Sequence, residues 1–215
     1  MNRKLTISAA ATALAALLAP TLVQAQDWTV KTGITRYDAN SKTNGIAGVG
    51  VPPGADAKVG DATTVIFVIE RRFTPNWSAE LVLGVPPRIK ARATGTVAFL
   101  GDDVLSAKNV AHTFIVNYQF GADGDRLRPY LGAGLNYTTF RGVRSSLAPT
   151  VGLSDSFGLL VQGGVNYALT KQMGLFASIA RVDVKSDLVA VGSTVLTSTI
   201  DFRPLTYTAG VTFKF

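Results

Sequence analysis

The last eleven residues of the chain alternate between two kinds of side chain. Apolar residues stand at every odd position from Leu205 to Phe215, and small or polar residues stand between them. This period of two predicts a β-strand with one apolar and one polar face, and it fits a helix badly. A strand of about ten residues is long enough to cross the hydrocarbon core of a bilayer. The segment therefore predicts a membrane-spanning strand that faces lipid on one side.

Seven upstream segments have a similar length, and several repeat the alternation. With the last segment they make eight, and an even number of antiparallel strands is typical of outer-membrane barrels. The predicted strands are 28–35, 63–72, 78–85, 110–120, 130–137, 157–169, 174–184 and 205–215.

The connections between these segments alternate between short and long. The short ones are 73–77, 121–126 and 170–172, and the long ones are 38–61, 86–109, 141–155 and 185–198. Short turns at one rim and long loops at the other are typical of an up-and-down barrel in the outer membrane. The predicted fold is therefore all-β, an eight-stranded antiparallel transmembrane up-and-down β-barrel over residues 26–215.

Aromatic residues concentrate at the predicted strand ends beside the short turns. Such a girdle is typical of the membrane interface on the periplasmic side, although packing inside a core would also use aromatic residues. The residues are Trp28, Phe73, Trp77, Tyr118, Phe120, Tyr167, Phe213 and Phe215.

The first 25 residues have the pattern of an export signal. A basic start, Met1–Lys4, precedes an apolar stretch, Leu5–Ala19, and the sequence Val23-Gln24-Ala25 has the small residues of a cleavage site. We expect residues 1–25 to be removed as a signal peptide. No later run of about 18 apolar residues could form a spanning helix. An exported chain that is 47% hydrophobic and only 16% charged agrees with a barrel.

The net charge of +7 gives little support for a nucleic-acid partner. The densest basic group, Arg88, Lys90 and Arg92, is small, and an exported protein does not meet nucleic acid in its ordinary surroundings. These three side chains are expected to contact anionic lipid headgroups or water. The expected partners are outer-membrane lipids and the solutes discussed below.

Alternation also assigns side chains to the barrel interior. Near the short turns, Glu70 and Glu80 flank Pro75 symmetrically and are expected to face each other, which requires nearby cations. We predict a floor of ion pairs across the lumen. Its members are Lys31, Glu70, Arg72, Glu80, Arg128 and Lys214.

Above this floor the predicted lumen is apolar. In the seventh strand, Arg181 and Asp183 would be costly against lipid, so this strand is turned to place them inward, together with Ala177 and Ile179. An eight-stranded barrel is too narrow for a water-filled pore. Either the side chains fill a closed core, or they line an apolar conduit. The predicted lining is Ile66, Val68, Val82, Ile115, Leu160 and Ile179.

Three prolines supply a route out of such a conduit. Pro86 and Pro87 end the third predicted strand and Pro204 precedes the eighth, and proline cannot donate to a strand ladder. The weakened pairing predicts a lateral gap through which an apolar solute enters the lipid. Alternatively, these prolines only start and stop strands.

The titratable residues give little support for an enzyme. The single histidine, His112, is expected to point outward, and no Gly-x-Ser-x-Gly elbow occurs. One histidine and no cysteine cannot build a typical zinc site, so neither a metal nor a cofactor is predicted. Glu70 and Glu80 are better explained by ion pairing than by acid–base catalysis.

The segment RPYLGAGLNYTTF, residues 128–140, resembles the RPYxGAGxNYTxF motif of the OmpW/AlkL family of small outer-membrane proteins. Residues 117–120, 152–158 and 201–204 resemble flanking family segments, and Phe215 resembles the terminal signal read by the barrel assembly machinery. The resemblance implies an eight-stranded barrel that takes up small hydrophobic molecules and releases them laterally into the membrane. The alternative function is a structural or adhesive barrel that acts through its long loops.

Overall fold

The computed structural model describes residues 28–192 and 195–215. Within these residues the chain forms fifteen β-strands. The predicted signal peptide lies outside the described residues. A short 3-10 helix spans Ala98–Leu100. The strands are β1 (Trp28–Asp38), β2 (Lys42–Thr43), β3 (Ala47–Gly48), β4 (Ala55–Val59), β5 (Ala62–Arg72), β6 (Trp77–Gly84), β7 (Arg88–Gly95), β8 (Leu105–Gln119), β9 (Leu127–Ser145), β10 (Thr150–Leu153), β11 (Ser156–Ala168), β12 (Met173–Val182), β13 (Val184–Val191), β14 (Val195–Phe202) and β15 (Leu205–Lys214).

Eight of these strands form a closed antiparallel barrel. Their order is β1-β5-β6-β8-β9-β11-β12-β15, and the ladder between β15 and β1 closes the ring. Each barrel strand overlaps one of the eight segments predicted from alternation. The predicted fold class is therefore confirmed.

Alternation determines which side chains face the lumen. Along β5, Ile66, Val68 and Glu70 are buried, whereas Phe67 and Ile69 between them are exposed on the outer wall. The outer wall of the barrel is rich in exposed large apolar residues, as expected of a surface that contacts lipid. The lumen is filled by side chains of both polar and apolar character.

The two ends of the barrel differ in their connections. Strands β5–β6, β8–β9 and β11–β12 are joined by the short connections 73–76, 120–126 and 169–172, and we call this the turn end. Aromatic rings pack edge to face here, with centroids 5.1 Å apart between Trp77 and Tyr118 and 4.9 Å apart between Phe213 and Phe215. The opposite end, with the long connections, is called the loop end.

The loop end contains more regular structure than the sequence patterns predicted. Strands β10, β13 and β14, together with β2 and β3, form a second sheet beyond the barrel. Strand β7 pairs with β4 and extends the barrel wall beside β8. Apolar side chains continue inside these extensions, where Ala55, Ala93, Val97 and Val104 form a small cluster.

No helix within residues 28–192 and 195–215 is long and apolar enough to cross a membrane.

Candidate functional site

A buried cation lies between two acids at the floor of the lumen. Lys31 on β1 faces inward, and its Nζ lies 3.0 Å from an Oε atom of Glu70 and 2.7 Å from one of Glu80. Glu70 and Glu80 are direct partners in the β5–β6 ladder, as the symmetry about Pro75 predicted. The shared ammonium offsets the repulsion between two facing carboxylates.

Amide side chains complete the hydrogen bonding of these acids. Gln119 donates to Glu70 at 2.9 Å, and Gln162 donates to Glu80 at 3.1 Å and to Oδ1 of the Asn117 side chain at 2.8 Å. Buried charges are stable when they are paired and their remaining lone pairs are satisfied. The network therefore forms a rigid polar partition that extends across several strands.

The other three cations predicted for the floor do not bind these glutamates. Arg72 pairs instead with Asp123 of the 120–126 connection at 2.7 Å, and Arg128 lies 3.6 Å from the same carboxylate. Arg128 also donates to the Pro75 carbonyl at 2.7 Å. Lys214 is exposed beside the lower lumen and pairs with no carboxylate among the described residues. The lumen has one buried ion-pair layer and a more exposed charged layer below it, rather than a single floor of six residues.

Two aromatic rings, which the sequence analysis did not assign to the floor, flank the buried lysine. Lys31 Nζ lies 5.4 Å from the ring centroids of both Tyr130 and Phe176. Glycines lie against these rings. A Cβ at Gly164 would approach both Tyr130 Cζ and the Ala177 carbonyl oxygen to 2.5 Å, and a Cβ at Gly210 would approach Phe176 Cε1 to 2.8 Å and the Thr32 carbonyl oxygen more closely still. The rings add cation–π contacts and close the space around the ammonium.

A chamber with a mixed polar and apolar lining lies directly above the ion-paired layer. It has a volume of about 80 Å³, and Lys31, Glu80 and Gln162 belong to its lining. Hydroxyl and amide side chains also line it, namely Thr35, Thr113, Asn136, Ser178, Thr206 and Thr208. Five of the six residues predicted to line the lumen are found around it, namely Ile66, Val68, Val82, Ile115 and Leu160.

The sixth residue, Ile179, lies on the outer wall, so the predicted orientation of the seventh strand was wrong. Its side chain is 51% exposed, and Arg181 and Asp183 are exposed as well. Phe176 and Ala180 face the lumen instead. Arg181 lies one residue from the loop end of β12. At this height a charged side chain reaches the membrane interface at little cost. The expected cost of Arg181 against lipid, which placed it inward in the prediction, therefore did not apply.

A second, mostly apolar cavity continues the lumen toward the loop end. It has a volume of about 60 Å³ and shares Tyr37, Ala111, Asn136 and Val182 with the chamber below. Its further lining is mostly aliphatic and aromatic, from both barrel strands and loop-end strands. Lining residues include Ala39, Val59, Ile89, Phe140, Val184 and Phe202.

The prolines lie where the barrel wall loses regular pairing. The last β6–β8 pair is Leu83 with His112 and the first β7–β8 pair is Arg88 with Lys108, so Pro86 and Pro87 lie in the interruption. A single backbone bond, from Asn109 to the Pro87 carbonyl at 3.0 Å, crosses it.

Pro86 is exposed, whereas Pro87 lines the upper cavity. Pro204 lies between β14 and β15, lines the same cavity, and accepts a bond from the Val182 amide at 3.2 Å. All three predicted prolines therefore lie at the edges of barrel ladders, and two of them reach the cavity.

No group of metal-ligating side chains occurs in the described part of the chain. His112 is exposed on the outer wall, in register with Leu83 and Tyr137, as its alternation predicted. It is separated from the buried glutamates by the barrel wall.

Comparisons with known proteins agree with this architecture. Outer membrane protein W of Vibrio cholerae is 27% identical over 200 residues, which cover 89% of this chain and 90% of the relative. The dibenzothiophene metabolism operon protein PahQ of Pseudomonas aeruginosa is 24% identical, and the match covers 80% of each chain. The crystal structure of the outer membrane protein OprG from Pseudomonas aeruginosa superimposes with a TM-score of 0.81 at 23% identity and covers 88% of this chain and 96% of OprG.

The family model of the OmpW family matches residues 24–215. This range contains every strand of the barrel and both cavities. The chain is an outer-membrane β-barrel that belongs to the OmpW family.

Proposed function

We propose that the barrel passively conducts small hydrophobic molecules from the cell exterior into the outer membrane. The observation that carries this proposal is a mostly apolar cavity near the loop end, which continues into a chamber of mixed polarity above a buried ion-paired layer. The mostly apolar wall of the upper cavity favours neutral apolar solutes through the hydrophobic effect and gives width selection rather than recognition of one compound. The lumen performs no reaction in this proposal, because Lys31 and neighbouring amides engage both buried glutamates.

The relatives support a hydrophobic solute. PahQ is named for an operon of dibenzothiophene metabolism, and dibenzothiophene is a neutral, polycyclic, apolar compound. A chain that shares its family with this relative and has a mostly apolar upper cavity is suited to solutes of the same class.

We further propose that the solute leaves sideways near Pro86 and Pro87. The ion-paired layer obstructs the direct route to the turn end, whereas the wall beside the upper cavity lacks ladder bonds at the prolines. Pro87 touches the cavity and Pro86 is exposed outside, so these consecutive residues span the wall. Small separations of β6 and β8 at this point would break few hydrogen bonds.

The conduit is tested by placing a charge in its wall. Val182→Lys introduces an ammonium where the two cavities meet, and burying an unpaired charge there lowers the entry of apolar solutes. We expect a roughly tenfold lower uptake of a medium-chain fatty-acid ester by cells that carry the variant, which corresponds to about 1.4 kcal/mol. Uptake of a small sugar serves as the polar reference.

Val49→Lys is the matched control, because Val49 is exposed at the loop end, away from both cavities. Folding is checked by heat-dependent migration on gels, and Ile89→Lys provides a second lining variant if Val182→Lys does not fold. Wild-type uptake by a folded lining variant contradicts the proposed conduit. In that case the loop-end sheet becomes the stronger candidate, as the surface of an adhesive or structural barrel.

The lateral exit is tested by restoring backbone donors to the wall. Pro86→Val with Pro87→Thr supplies two N–H groups that allow β6 to pair further with β8. Uptake of the ester should fall, whereas Pro52→Val with Pro53→Thr, in an exposed loop-end turn, should leave it unchanged. Equal uptake by both folded double variants would exclude this exit while leaving the apolar lumen as the entry route.

A further inference from the structure

Three positive side chains lie side by side on the outer wall at the loop end. Arg88 on β7 is the direct ladder partner of Lys108 on β8, and Lys108 is the direct partner of Arg141 on β9. All three are exposed, and none forms an ion pair with a carboxylate of the described residues. Like charges directly opposite one another in a sheet repel, so this arrangement favours binding of an anion.

A neighbouring row extends the positive surface. Lys90, Ser106 and Arg144 are aligned across the same three strands. Between the rows β9 contains one extra residue at a register shift, where Gly142 has a φ of +59°. Such a bulge changes the direction in which the following side chains point. Arg141 and Arg144 are therefore both exposed, although they are three residues apart in a strand whose side chains alternate between its two faces. Lys90 is already paired with Asp103 at 2.6 Å, so it contributes less free charge.

The height of the row formed by Arg88, Lys108 and Arg141 places these side chains at the membrane surface. In β8, Lys108 lies ten residues before Tyr118 of the aromatic girdle at the turn end. At about 3.4 Å per residue and a tilt of about 35–45°, ten residues rise about 24–28 Å along the barrel axis. The lipid-facing band of outer-membrane barrels is about 25 Å tall. Lys108 is therefore at the level of lipid headgroups in the outer leaflet.

The surface directly below the row is suited to acyl chains. On the same outward face, Val110 and Thr139 come next toward the turn end. Beyond them are aligned Leu83, His112 and Tyr137, followed by Leu81, Phe114 and Leu135. One molecule could contact this apolar wall with its chains and the cations with its headgroup. A soluble acidic protein or nucleic acid would use only the charged half of the surface.

We propose that Arg88, Lys108 and Arg141, with Arg144 beside them, bind the phosphate groups of an anionic lipid in the outer leaflet. Guanidinium groups bind phosphate bidentately and the ammonium adds a point charge, so several cations on a rigid sheet hold more than one phosphate oxygen. This site depends on the membrane location of the barrel and is independent of the proposed transport.

The site is tested with purified, refolded protein and diphosphorylated lipid A as the probe. Bound lipid is counted by native mass spectrometry over a range of lipid concentrations. The test variant is Lys108→Gln with Arg141→Gln, and the matched control is Arg126→Gln with Lys171→Gln, two exposed cations at the turn end. We expect the test variant to bind lipid A roughly tenfold or more weakly than wild type, and the control to match wild type.

Two further probes distinguish the sources of phosphate. Dephosphorylated lipid A should bind wild type as weakly as the test variant binds the intact lipid, and inorganic phosphate should compete only at far higher concentrations. Equal lipid A binding by the test variant and the control overturns the proposal, as does phosphate binding as tight as that of the lipid. Heat-dependent gel migration verifies folding, and Lys108→Gln alone replaces the double variant if the latter does not fold.

Discussion

Replacing Lys31 with Met tests the energetic role of the buried ion-paired layer. The Lys31 side chain is 2% exposed and contacts Glu70 at 3.0 Å and Glu80 at 2.7 Å. Its removal leaves two carboxylates that are direct partners in the β5–β6 ladder and share no cation. Removing one partner of a buried ion pair costs about 3–5 kcal/mol. Each glutamate keeps one amide hydrogen bond, so we expect a loss of unfolding free energy within this range rather than above it.

Equilibrium unfolding in urea, with the barrel in lipid vesicles, measures this loss through the fluorescence of Trp28 and Trp77, the two tryptophans of the chain. Lys171→Met is the control for removing an exposed lysine, and a change within about 0.5 kcal/mol is expected.

A triple variant separates charge from packing in the same experiment. Replacement of a whole buried ion cluster by neutral residues is often nearly neutral, so Lys31→Met with Glu70→Gln and Glu80→Gln should recover most of the lost stability. A loss below about 1 kcal/mol in Lys31→Met, or no recovery in the triple variant, would refute the conclusion that the ammonium stabilises two facing carboxylates.

Two other predictions concern packing and orientation. Gly164→Ala should destabilise the barrel by about 1–3 kcal/mol in the urea assay, because its Cβ would collide with the Tyr130 ring and with the Ala177 carbonyl oxygen, whereas Gly152→Ala, with open space around its Cβ, should change stability little. Similar values for the two variants would contradict the close packing at Gly164. Since the chain has no cysteine, a fluorophore can be attached at Ile179→Cys or Ala180→Cys. Brominated lipid tails should quench the label at Ile179 more strongly, and the reverse order would contradict the observed orientation of β12.

The barrel could be predicted from the sequence because a strand with one lipid-facing side has a strict period of two. The pattern is clearest in β15, where polar and apolar residues alternate without exception. It is weakest in β12, where Phe176, Ala177 and Ile179 make both faces apolar. There the orientation rested on Arg181 and Asp183, and charges at or beyond the end of a strand do not identify a face.

The loop-end strands could not be predicted by the same reasoning. Strand β14 pairs with β2 and β3, which lie about 150 residues earlier and contain two residues each. A strand of two residues is too short to show a period of two, and pairing between strands so far apart in the sequence leaves no local pattern. The partner of Arg72 was missed for a related reason, since Asp123 lies in a turn rather than at an alternating strand position.

The buried layer and the proline interruption together explain why a lateral route suits the proposed conduit. A neutral apolar solute that continued toward the turn end would have to separate Lys31 from its two carboxylates. Because such a solute offers no polar contacts in return, this separation would cost several kcal/mol. Movement past Pro87 would instead disturb a wall segment crossed by one backbone hydrogen bond, worth about 0.5–1.5 kcal/mol. The proposed lateral route therefore has the lower cost, and a solute that took it would enter an apolar phase in which it is already soluble.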